Sequence, residues 1–411
     1  MRANAFLKSL TIFCVRIIIK IEILLLKTLT MEKSQFQKRV KKIRNAMSER
    51  NLDAVVVVDP VNLYYLTGQR LVYPHTIRFS AGLITDDKAL MIVPTIEKNL
   101  AKEHSWIEDI RTYGETPSES KTTDPVLLLS KTINDLQLAK KNIGIENNHL
   151  VYSVYAKLVK EIPSAKFFDS SELMEQQRMI KSADEITIVK KAAQLGDKAI
   201  SAAIDAIDVG VTEREVAEAA RNAMALDDGY WTIAMYPGTG VASGPRSAIS
   251  HYRARNEKIK KNEFVTMDLC ALIFYEGYHI SDSRTAIVGQ PTSKQKEVYN
   301  CALNAEKEAI NTIGPGVRAC DVDAAAGKAI IKGGYREYLS HGSGHAIGLH
   351  YYEKPYLRFY DKTVLQPGMY FNVSCGISIP GFLGTLNENT VLVTENGPEL
   401  LTKYPLELQI K

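Results

Sequence analysis

The sequence predicts a mixed α/β fold arranged as two domains, the second of which contains two similar halves. Three observations support this fold class. Helical and strand patterns alternate through residues 31–168, the stretch 203–211 is repeated at 309–317, and 411 residues are enough for two domains and a large core. The alternation is typical of helices layered on a sheet, and the repeat indicates two half-domains of like design.

The composition is ordinary for a globular protein, with 45% hydrophobic and 24% charged residues. The formal net charge of +4 is too small to indicate nucleic-acid binding, so we expect no nucleic-acid partner. The five cysteines are odd in number and form no CxxC motif. This pattern favours free thiols in a reducing compartment, and we therefore expect a cytoplasmic protein.

Residues 1–30 differ from the rest of the chain. Residues 11–26 are apolar but carry Arg16, Lys20 and Glu22, which interrupt any run long enough to span a membrane. No small-residue cleavage site follows, so a signal peptide is disfavoured. We predict that residues 1–30 are an extension upstream of a start at Met31, and that the protein has no membrane partner. A membrane-surface anchor is the alternative.

The N-terminal domain is predicted to span residues 31–168. Its central feature is the apolar run 54–58, which is typical of a strand buried on both faces and which Pro60 ends. A helical linker over 169–181 then leads to the second domain. The predicted elements of the first domain are a helix at 34–50, strands at 53–58, 81–85 and 89–94, a helix at 97–103, a strand at 142–146 and a helix at 150–161.

The C-terminal domain is predicted to span residues 182–411. Ser182 and Glu185 form a capping box that opens its first helix, and Thr212 and Glu215 form a second one. The repeated stretches read AIDAIDVGV and AINTIGPGV, and each precedes a helix with valine and alanine at matching positions. Two half-domains about a pseudo-twofold axis, with a ligand site between them, are the expected result. Later strands are predicted at 231–236, in a hairpin at 267–285, at 365–379 and at 384–393.

The hairpin at 267–285 is the first candidate for a functional site. Asp268 follows one apolar run and Asp282 precedes another, which predicts an acid on each strand. Facing carboxylates repel each other unless a cation or a shared proton lies between them, and a divalent metal is the usual solution. The alternative is a pair of solvated turn acids.

Three histidines and one glutamate are further candidates. His251 ends a loop rich in Gly, Pro and Ser, where it could act as a base or proton shuttle. His341 and His345 are four residues apart, but the glycines beside them favour a loop, and one of them could bind a metal. Glu388 precedes a buried strand, and it belongs to the site only if the fold brings it to the hairpin.

Four stretches resemble the pita-bread metallopeptidase family, which includes prolidase, aminopeptidase P, methionine aminopeptidase and the metal-free creatinase. They are SGPRSAISH, the Asp-containing hairpin, HGSGHAIGL and GTLNENTVLVTENG. The resemblance covers nearly all of the chain after Met31. It implies a creatinase-like N-terminal domain, a pita-bread catalytic domain and a homodimer. It also implies metal ligands at Asp268, His345 and Glu388, with His251 on the substrate side.

The resemblance also reveals departures from the family's site of five ligands and two metals. The ligand expected three residues before Arg284 falls on Ser281, so Asp282 could reach a metal only through a bulge or a slipped register. A second expected glutamate is Ser374. Since two or three carboxylates neutralise two divalent ions poorly, we predict at most one ion (Mn, Co, Zn or Fe) or none. The predicted metal ligands are Asp268, Asp282, His345 and Glu388.

Roles in catalysis and substrate binding follow from the same resemblance. Family peptidases place a second histidine before a Glu-x-Pro motif, and here that position is Tyr352, followed by Glu353. We predict catalytic roles for His251, Glu353 and His345. We predict substrate contacts for His251, Tyr352 and His341.

The sequence therefore predicts a hydrolase of the Xaa-Pro dipeptidase or aminopeptidase type, acting on a C–N bond of a small peptide with an incomplete metal site. Two alternatives stay open. One is a metal-free, creatinase-like hydrolase or lyase that uses His251 as a base on a small amide or guanidino-type substrate. The other is a non-catalytic binding protein on the same fold. In a homodimer, Tyr73, His75 and Arg78 could reach the partner's site.

Overall fold

A computed structural model describes residues 32–69, 78–114, 122–225, 240–269, 274–339 and 341–411. The chain divides into two compact units, one ending at Met174 and one comprising Glu175–Lys411. The expectations for residues 1–30, for a strand at 231–236, and for Tyr73 and His75 lie outside the described residues. Within the described ranges, no helix combines the length and hydrophobicity that a membrane crossing requires.

The described elements of the N-terminal unit are α1 Lys33–Glu49, β1 Ala54–Val57, α2 Pro60–Thr67, β2 Ala81–Thr85, β3 Ala89–Pro94, α3 Lys98–His104, β4 Asp109–Tyr113, α4 Pro125–Asp135, β5 Asn142–Ile145, α5 Tyr152–Glu161 and β6 Lys166–Asp169. The strands form one sheet of order β4-β3-β2-β1-β5-β6. Strand β1 is antiparallel to β2 and parallel to β5, and every residue in it is buried, which is why its sequence is an unbroken apolar run. Helix α6, Ser171–Met179, lies where the sequence predicts a helical linker and contains the division between the units.

The C-terminal unit repeats one helical pair, as the duplicated sequence predicts. The first pair is α7 Ala183–Ala206 and α8 Glu213–Ala225, and the second is α9 Ser293–Thr312 and α10 Ala319–Lys332. The turns between the helices match, because Gly210 and Gly316 have φ of 86° and 84°. The Gly210 N–H donates to Ile259 O at 2.9 Å, and the Gly316 N–H donates to Leu365 O at 3.0 Å. The two turns therefore require glycine for the same reason, a left-handed backbone.

Both predicted capping boxes are present. The Ser182 hydroxyl accepts from the Glu185 N–H, while the Glu185 carboxylate accepts from the Ser182 N–H at 2.8 Å. Thr212 and Glu215 make the same reciprocal pair. These local contacts fix where α7 and α8 begin.

The described strands of the second unit are β7 Gly240–Ser243, β8 Phe264–Asp268, β9 Phe274–Tyr275, β10 Tyr278–His279, β11 Ser283–Ile287, β12 Gly344–Ala346, β13 Glu353–Leu357, β14 Tyr370–Ile379, β15 Leu383–Thr394, β16 Gly397–Leu400 and β17 Gln409–Ile410. Most of them form one large sheet of order β13-β12-β14-β15-β11-β8-β7. In addition, β16 pairs with β15 and β17 pairs with β11, and a small separate hairpin joins β9 to β10.

Candidate active site

A row of four polar side chains crosses the centre of the large sheet. Asp268 on β8 pairs in register with Ser283 on β11, Ser283 pairs with Glu388 on β15, and Glu388 pairs with Ser374 on β14. Directly opposed residues of antiparallel strands project from the same face of a sheet. The fold therefore brings Glu388 to the hairpin that carries Asp268.

A second row lies one pleat away on the same face. His345 on β12 pairs in register with Asn372 on β14, two residues from Ser374. The Ser281 hydroxyl donates to Glu388 Oε2 at 2.7 Å, so Ser281 also faces the site. The structure thus brings Asp268, His345 and Glu388 together around Ser281 and Ser374, the serines at the two positions where the resemblance predicts carboxylate ligands.

Asp282 does not join this cluster, and its prediction as a metal ligand is corrected. Because Ser281 and Ser283 both face Glu388, the residue between them points to the opposite face. There the fully buried Asp282 carboxylate lies 2.8 Å from Arg284 Nη1, although no described donor makes a well-directed hydrogen bond to it. Burial raises the pKa of Asp282 to about 7, and Arg284 only partly opposes this.

The chain's own neutral donors surround the Glu388 carboxylate. Its Oε2 accepts from the Ser281 and Ser283 hydroxyls, each at 2.7 Å, and its Oε1 accepts from Asn372 Nδ2 at 3.4 Å. The Ser283 hydroxyl also lies 3.4 Å from Asp268 Oδ1, which links the two carboxylates. Ser281 and Ser283 thus make hydrogen bonds to the carboxylates that the resemblance predicts as metal ligands.

His345 is held in one tautomer and one orientation. Its Nδ1 lies 2.9 Å from Ala346 O, and since a carbonyl can only accept, Nδ1 carries the proton and Nε2 carries the lone pair. Burial lowers the pKa of His345 to about 4, so the ring is neutral near pH 7. The Tyr352 ring lies 4.2 Å from the imidazole between centroids, and the Tyr351 ring lies 5.1 Å from it.

Two glycines of the His345 stretch are required by close approach. A Cβ on Gly344 would collide with the backbone oxygen of Asn372 across the β12–β14 pair. A Cβ on Gly348 would collide with the Glu353 carboxylate. The loop rather than helix expected around His341 and His345 is observed, with His345 itself on the short strand β12.

Glu353 is buried as a structural anion, and its prediction as a catalytic residue is corrected. Its carboxylate lies 3.0 Å from Arg178 Nε and 3.0 Å from Lys181 Nζ, and all three side chains are buried. Although burial raises its pKa, the stronger combined effect of Lys181, Arg178 and His350 lowers it to about 2. A carboxylate held by two cations at such a pKa is too weak a base to remove a proton from substrate at neutral pH.

The loop carrying His251 lies beside Asp268. Gly240 pairs in register with Asp268, and the Tyr252 ring lies 3.3 Å from the point where a Cβ on Gly240 would be. His251 is exposed and has a left-handed φ of 55°. The His251 imidazole is therefore accessible to solvent. The next residue, Tyr252, lies against Gly240, which is the register partner of Asp268.

His341 is exposed and lies at a separate part of the site. It lines a cavity of about 270 Å³ together with Ser374, Arg358 and Asp323. Asp323 Oδ1 accepts from both the N–H and the hydroxyl of Ser343, at 2.9 Å each. The cavity reaches the edge of β14 at Ser374, and after burial, which has the largest effect, His341 is one of the groups that lower the pKa of His345.

Arg284 has a structural role that the sequence reasoning did not assign. It is fully buried and donates to Glu388 O at 2.8 Å, to Asn389 Oδ1 at 3.0 Å and to Tyr404 O at 2.6 Å. It thereby fixes β15 behind the site. Asn372 was also missed, although its place two residues before Ser374 in a strand pattern is a signal that both share a face.

The donor set does not fit two divalent ions. Two of the five expected ligand positions are serines, whose hydroxyls are neutral. The Ser281 hydroxyl donates to Glu388, and Ser374 pairs in register with Glu388. Among the residues that the structure describes on these strands, Asp268 and Glu388 supply the negative charge on this face, which would leave two divalent ions largely uncompensated. Asp268, the Nε2 atom of His345 and Glu388 have the donor types to hold one ion.

Comparisons with known proteins agree with the architecture. The family model for metallopeptidase family M24 matches residues 187–395, and the one for the creatinase/prolidase N-terminal domain matches residues 39–180. A Pyrococcus horikoshii Xaa-Pro dipeptidase is 35% identical over 372 residues, covering 90% of this chain and 98% of its own. The Xaa-Pro dipeptidase of Pyrococcus furiosus is 34% identical over 378 residues, covering 90% and 99%.

Solved structures give the same result. The crystal structure of the prolidase from Pyrococcus horikoshii has a TM-score of 0.80 at 35% identity, covering 90% of this chain and 99% of its own. An Xaa-Pro dipeptidase from Bacillus anthracis has a TM-score of 0.79 at 31% identity, covering 92% and 100%.

Proposed function

Because the chain belongs to metallopeptidase family M24, we propose that it is a hydrolase of small peptides of the Xaa-Pro type, with an active site that holds at most one metal ion. The relatives named Xaa-Pro dipeptidase support this substrate class. One observation carries the proposal. Asp268, His345 and Glu388 gather on one face of the sheet, while Ser281 and Ser374 occupy the other two ligand positions.

Asp268, His345 and Glu388 would hold the ion, which would polarise the scissile carbonyl and lower the pKa of a bound water. The neutral His345 presents the Nε2 lone pair, and the Tyr351 and Tyr352 rings keep the imidazole in place. The serine hydroxyls fix the direction of the Glu388 carboxylate. These contacts restrict the orientation of the His345 ring and of the Glu388 carboxylate.

His251 is proposed to act on the substrate side. Its imidazole is exposed on the loop next to Asp268, which supports a role in binding the substrate or in moving a proton at the scissile amide. Tyr352 is the proposed aromatic contact for the substrate, since it is exposed beside His345. His341 would meet only the part of a ligand that extends towards Ser374.

A second candidate, a metal-free hydrolase or lyase, is favoured by the neutral donors around Glu388. Its carboxylate is already bound by Ser281, Ser283 and Asn372, so a metal is not needed to satisfy its hydrogen bonds. In this candidate His251 is the base and the substrate is a small amide or guanidino compound.

Hydrolysis assays at controlled metal content separate the two. The full chain is treated with chelator, then titrated with Mn²⁺ or Co²⁺, and assayed on Xaa-Pro dipeptides with Xaa-Ala dipeptides as controls. The proposal expects activity that rises with metal and saturates near one ion per chain. Activity that survives chelation unchanged supports the metal-free candidate. No hydrolysis under either condition contradicts the proposal.

Substitution of His251 tests its role. His251→Ala should lower turnover by about 100-fold or more, the usual contribution of a positioned acid or base, with an unchanged unfolding midpoint. His104→Ala, at an exposed histidine on α3, is the matched control and should leave turnover unaltered. Equal turnover of the two variants would remove His251 from the mechanism.

We further propose that the protein is cytoplasmic and forms a homodimer. A cytoplasmic location is supported by the free thiols of Cys301, Cys320 and Cys375. A homodimer rests on the family resemblance, and size-exclusion chromatography with light scattering would test it. A monomer at assay concentrations would contradict it.

A further inference from the structure

The cavity of about 270 Å³ in the C-terminal unit lies between one side of α10 and the segments before β12 and after β13. Its volume is several times the roughly 30 Å³ that one water molecule occupies, and it is just below the range of about 300 Å³ upwards that is usual for drug-sized ligands. The three proposed metal ligands, Asp268, His345 and Glu388, are not part of its described lining. The cavity therefore has room for a small organic molecule at a place apart from those three side chains.

Gly327 keeps this cavity open. It lies inside α10, where glycine is less favourable than alanine because it has more backbone freedom to lose. Beyond its chain neighbours and the backbone of its own helix, no described atom lies within 4 Å of the point where its Cβ would be. Packing therefore does not require a glycine here. The missing side chain leaves room for a ligand while it makes the helix less stable.

Two opposite charges border the cavity on either side of Gly342. A Cβ on Gly342 would lie 2.7 Å from Arg358 Nη1 and 3.0 Å from Asp323 Oδ1, so both atoms are close to one point. Among the described residues, Arg358 and Asp323 nevertheless form no ion pair with each other or with a third side chain. The cavity thus presents a cation and an anion side by side.

Each charged group has atoms left to bind a ligand. Arg358 donates through Nη1, to Gly344 O at 3.0 Å and to Leu357 O at 3.2 Å, so Nε and Nη2 have no partner among the described residues. Asp323 accepts through Oδ1, from the Ser343 N–H and hydroxyl at 2.9 Å each, and Oδ2 is left in the same way. The Nε and Nη2 edge of a guanidinium binds a carboxylate with two parallel hydrogen bonds, and an ammonium donates to a carboxylate oxygen.

The cavity also has apolar walls. Ile330 and Leu339 line it together with Phe359. Ile330 is 1% exposed, whereas Leu339 is 41% and Phe359 is 83% exposed, so the apolar surface extends from the interior to the solvent. A ligand that carries both charges at one end and an apolar group at the other would match the whole lining.

We propose that this cavity binds a free α-amino acid with an apolar side chain, its carboxylate on Nε and Nη2 of Arg358 and its ammonium on Oδ2 of Asp323. The two charges of an α-amino acid are attached to one carbon, which suits two protein charges that border one glycine. Free amino acids are also the class of product that dipeptide hydrolysis releases. The inference does not rest on the proposed function, because binding in this cavity requires no turnover.

Matched ligands test this on the unmodified full chain by titration calorimetry after chelation. L-Leucine is compared with 4-methylpentanoate, which lacks the ammonium, and with 3-methylbutylamine, which lacks the carboxylate. Leucine should bind at least about tenfold more tightly than either, since each analogue leaves one protein charge without its partner. Equal binding of 4-methylpentanoate would overturn the inference in favour of a simple anion site, and equal binding of the amine would overturn it in favour of a cation site.

A variant that fills the cavity locates the site. Gly327→Leu should weaken leucine binding by at least about tenfold, while the thermal midpoint stays at or above that of the parent chain, because leucine is the better helix former. Ala324→Leu is the matched control, since it adds the same side chain at an exposed position of α10 and should leave the affinity unchanged. Undiminished binding in Gly327→Leu would overturn the inference.

A second pair of variants separates this cavity from the proposed metal site. Asp323→Asn keeps an oxygen for Ser343 but removes the charge, so it should abolish the preference for leucine over 4-methylpentanoate. Glu388→Gln should leave leucine binding unchanged. A preference that persists in Asp323→Asn, or leucine binding that is lost in Glu388→Gln, would contradict the assignment. If Asp323→Asn does not fold, the matched ligands and the Gly327→Leu variant still decide.

Discussion

Replacing Glu353 with glutamine should destabilise the C-terminal unit strongly, because its carboxylate neutralises two cations that are themselves buried. Oε1 lies 3.0 Å from Arg178 Nε and Oε2 lies 3.0 Å from Lys181 Nζ. The side chains of Glu353, Arg178 and Lys181 are 4%, 5% and 1% exposed. Removing the anion leaves both cations in a poorly solvated site without their counterion.

The size of the effect follows from the ionisation of Glu353. Its pKa is lowered from 4.5 to about 2 in the folded chain, despite burial, which acts in the opposite direction. At about 1.4 kcal/mol for each tenfold change in the protonation constant, this difference corresponds to about 3 kcal/mol. Since the folded pKa is depressed, the stabilisation is fully present above pH 4.5 and is lost as the pH falls towards 2.

Urea unfolding of the full chain, followed by circular dichroism, measures this loss. Glu353→Gln should lower the free energy of unfolding by about 3 kcal/mol at pH 7 and by less at pH 4. Glu399→Gln is the control, because it breaks an exposed pair with Lys190 and should cost less than about 1 kcal/mol. A loss below about 1 kcal/mol for Glu353→Gln, or lost turnover at unchanged stability, would refute the structural role.

Further outcomes follow from the same structure. The double variant Ser281→Asp with Ser374→Glu should raise the metal content measured by elemental analysis to about two ions per chain, because it places carboxylates at both ligand positions that are serines here. An unchanged metal content would contradict the assignment of these two positions. Arg284→Met should lower the free energy of unfolding by about 3–5 kcal/mol in urea titrations, and Arg284→Lys should not restore it, because one ammonium cannot reach the several oxygens that the guanidinium fork holds. Gly344→Ala should lower the thermal midpoint sharply or prevent folding, because its Cβ would meet the Asn372 backbone; a midpoint near that of the parent chain would show that β12 can move away.

The local parts of this fold could be predicted from sequence because their causes are local. The capping boxes at Ser182 and Thr212 join residues three apart, and both form as predicted. The turns at Gly210 and Gly316 share a left-handed φ that their matching sequences indicate. The capping contacts lie within one turn of chain, and the required φ in each turn belongs to a single glycine.

The site could be predicted only in part, because its geometry depends on strands far apart in sequence. Alternation along one strand showed that Ser281 and Asp282 face opposite ways, but only the pairing of Ser283 with Glu388 determines which of them faces the site. The sequence did not reveal the structural role of Glu353, because the two cations that it binds are distant in sequence. Arg178 lies on α6, and Lys181 lies in the turn after α6. A residue's neighbours in sequence do not reveal such partners.

The most direct test of this account is the metal content of the unmodified chain. The protein is saturated with Mn²⁺ or Co²⁺, desalted and measured by elemental analysis against protein concentration. Ser281 and Ser374 stand at the two other expected carboxylate positions beside Glu388, and they predict no more than one ion per chain. Two tightly held ions per chain would contradict it, since they would require more carboxylates than the described strands supply on this face.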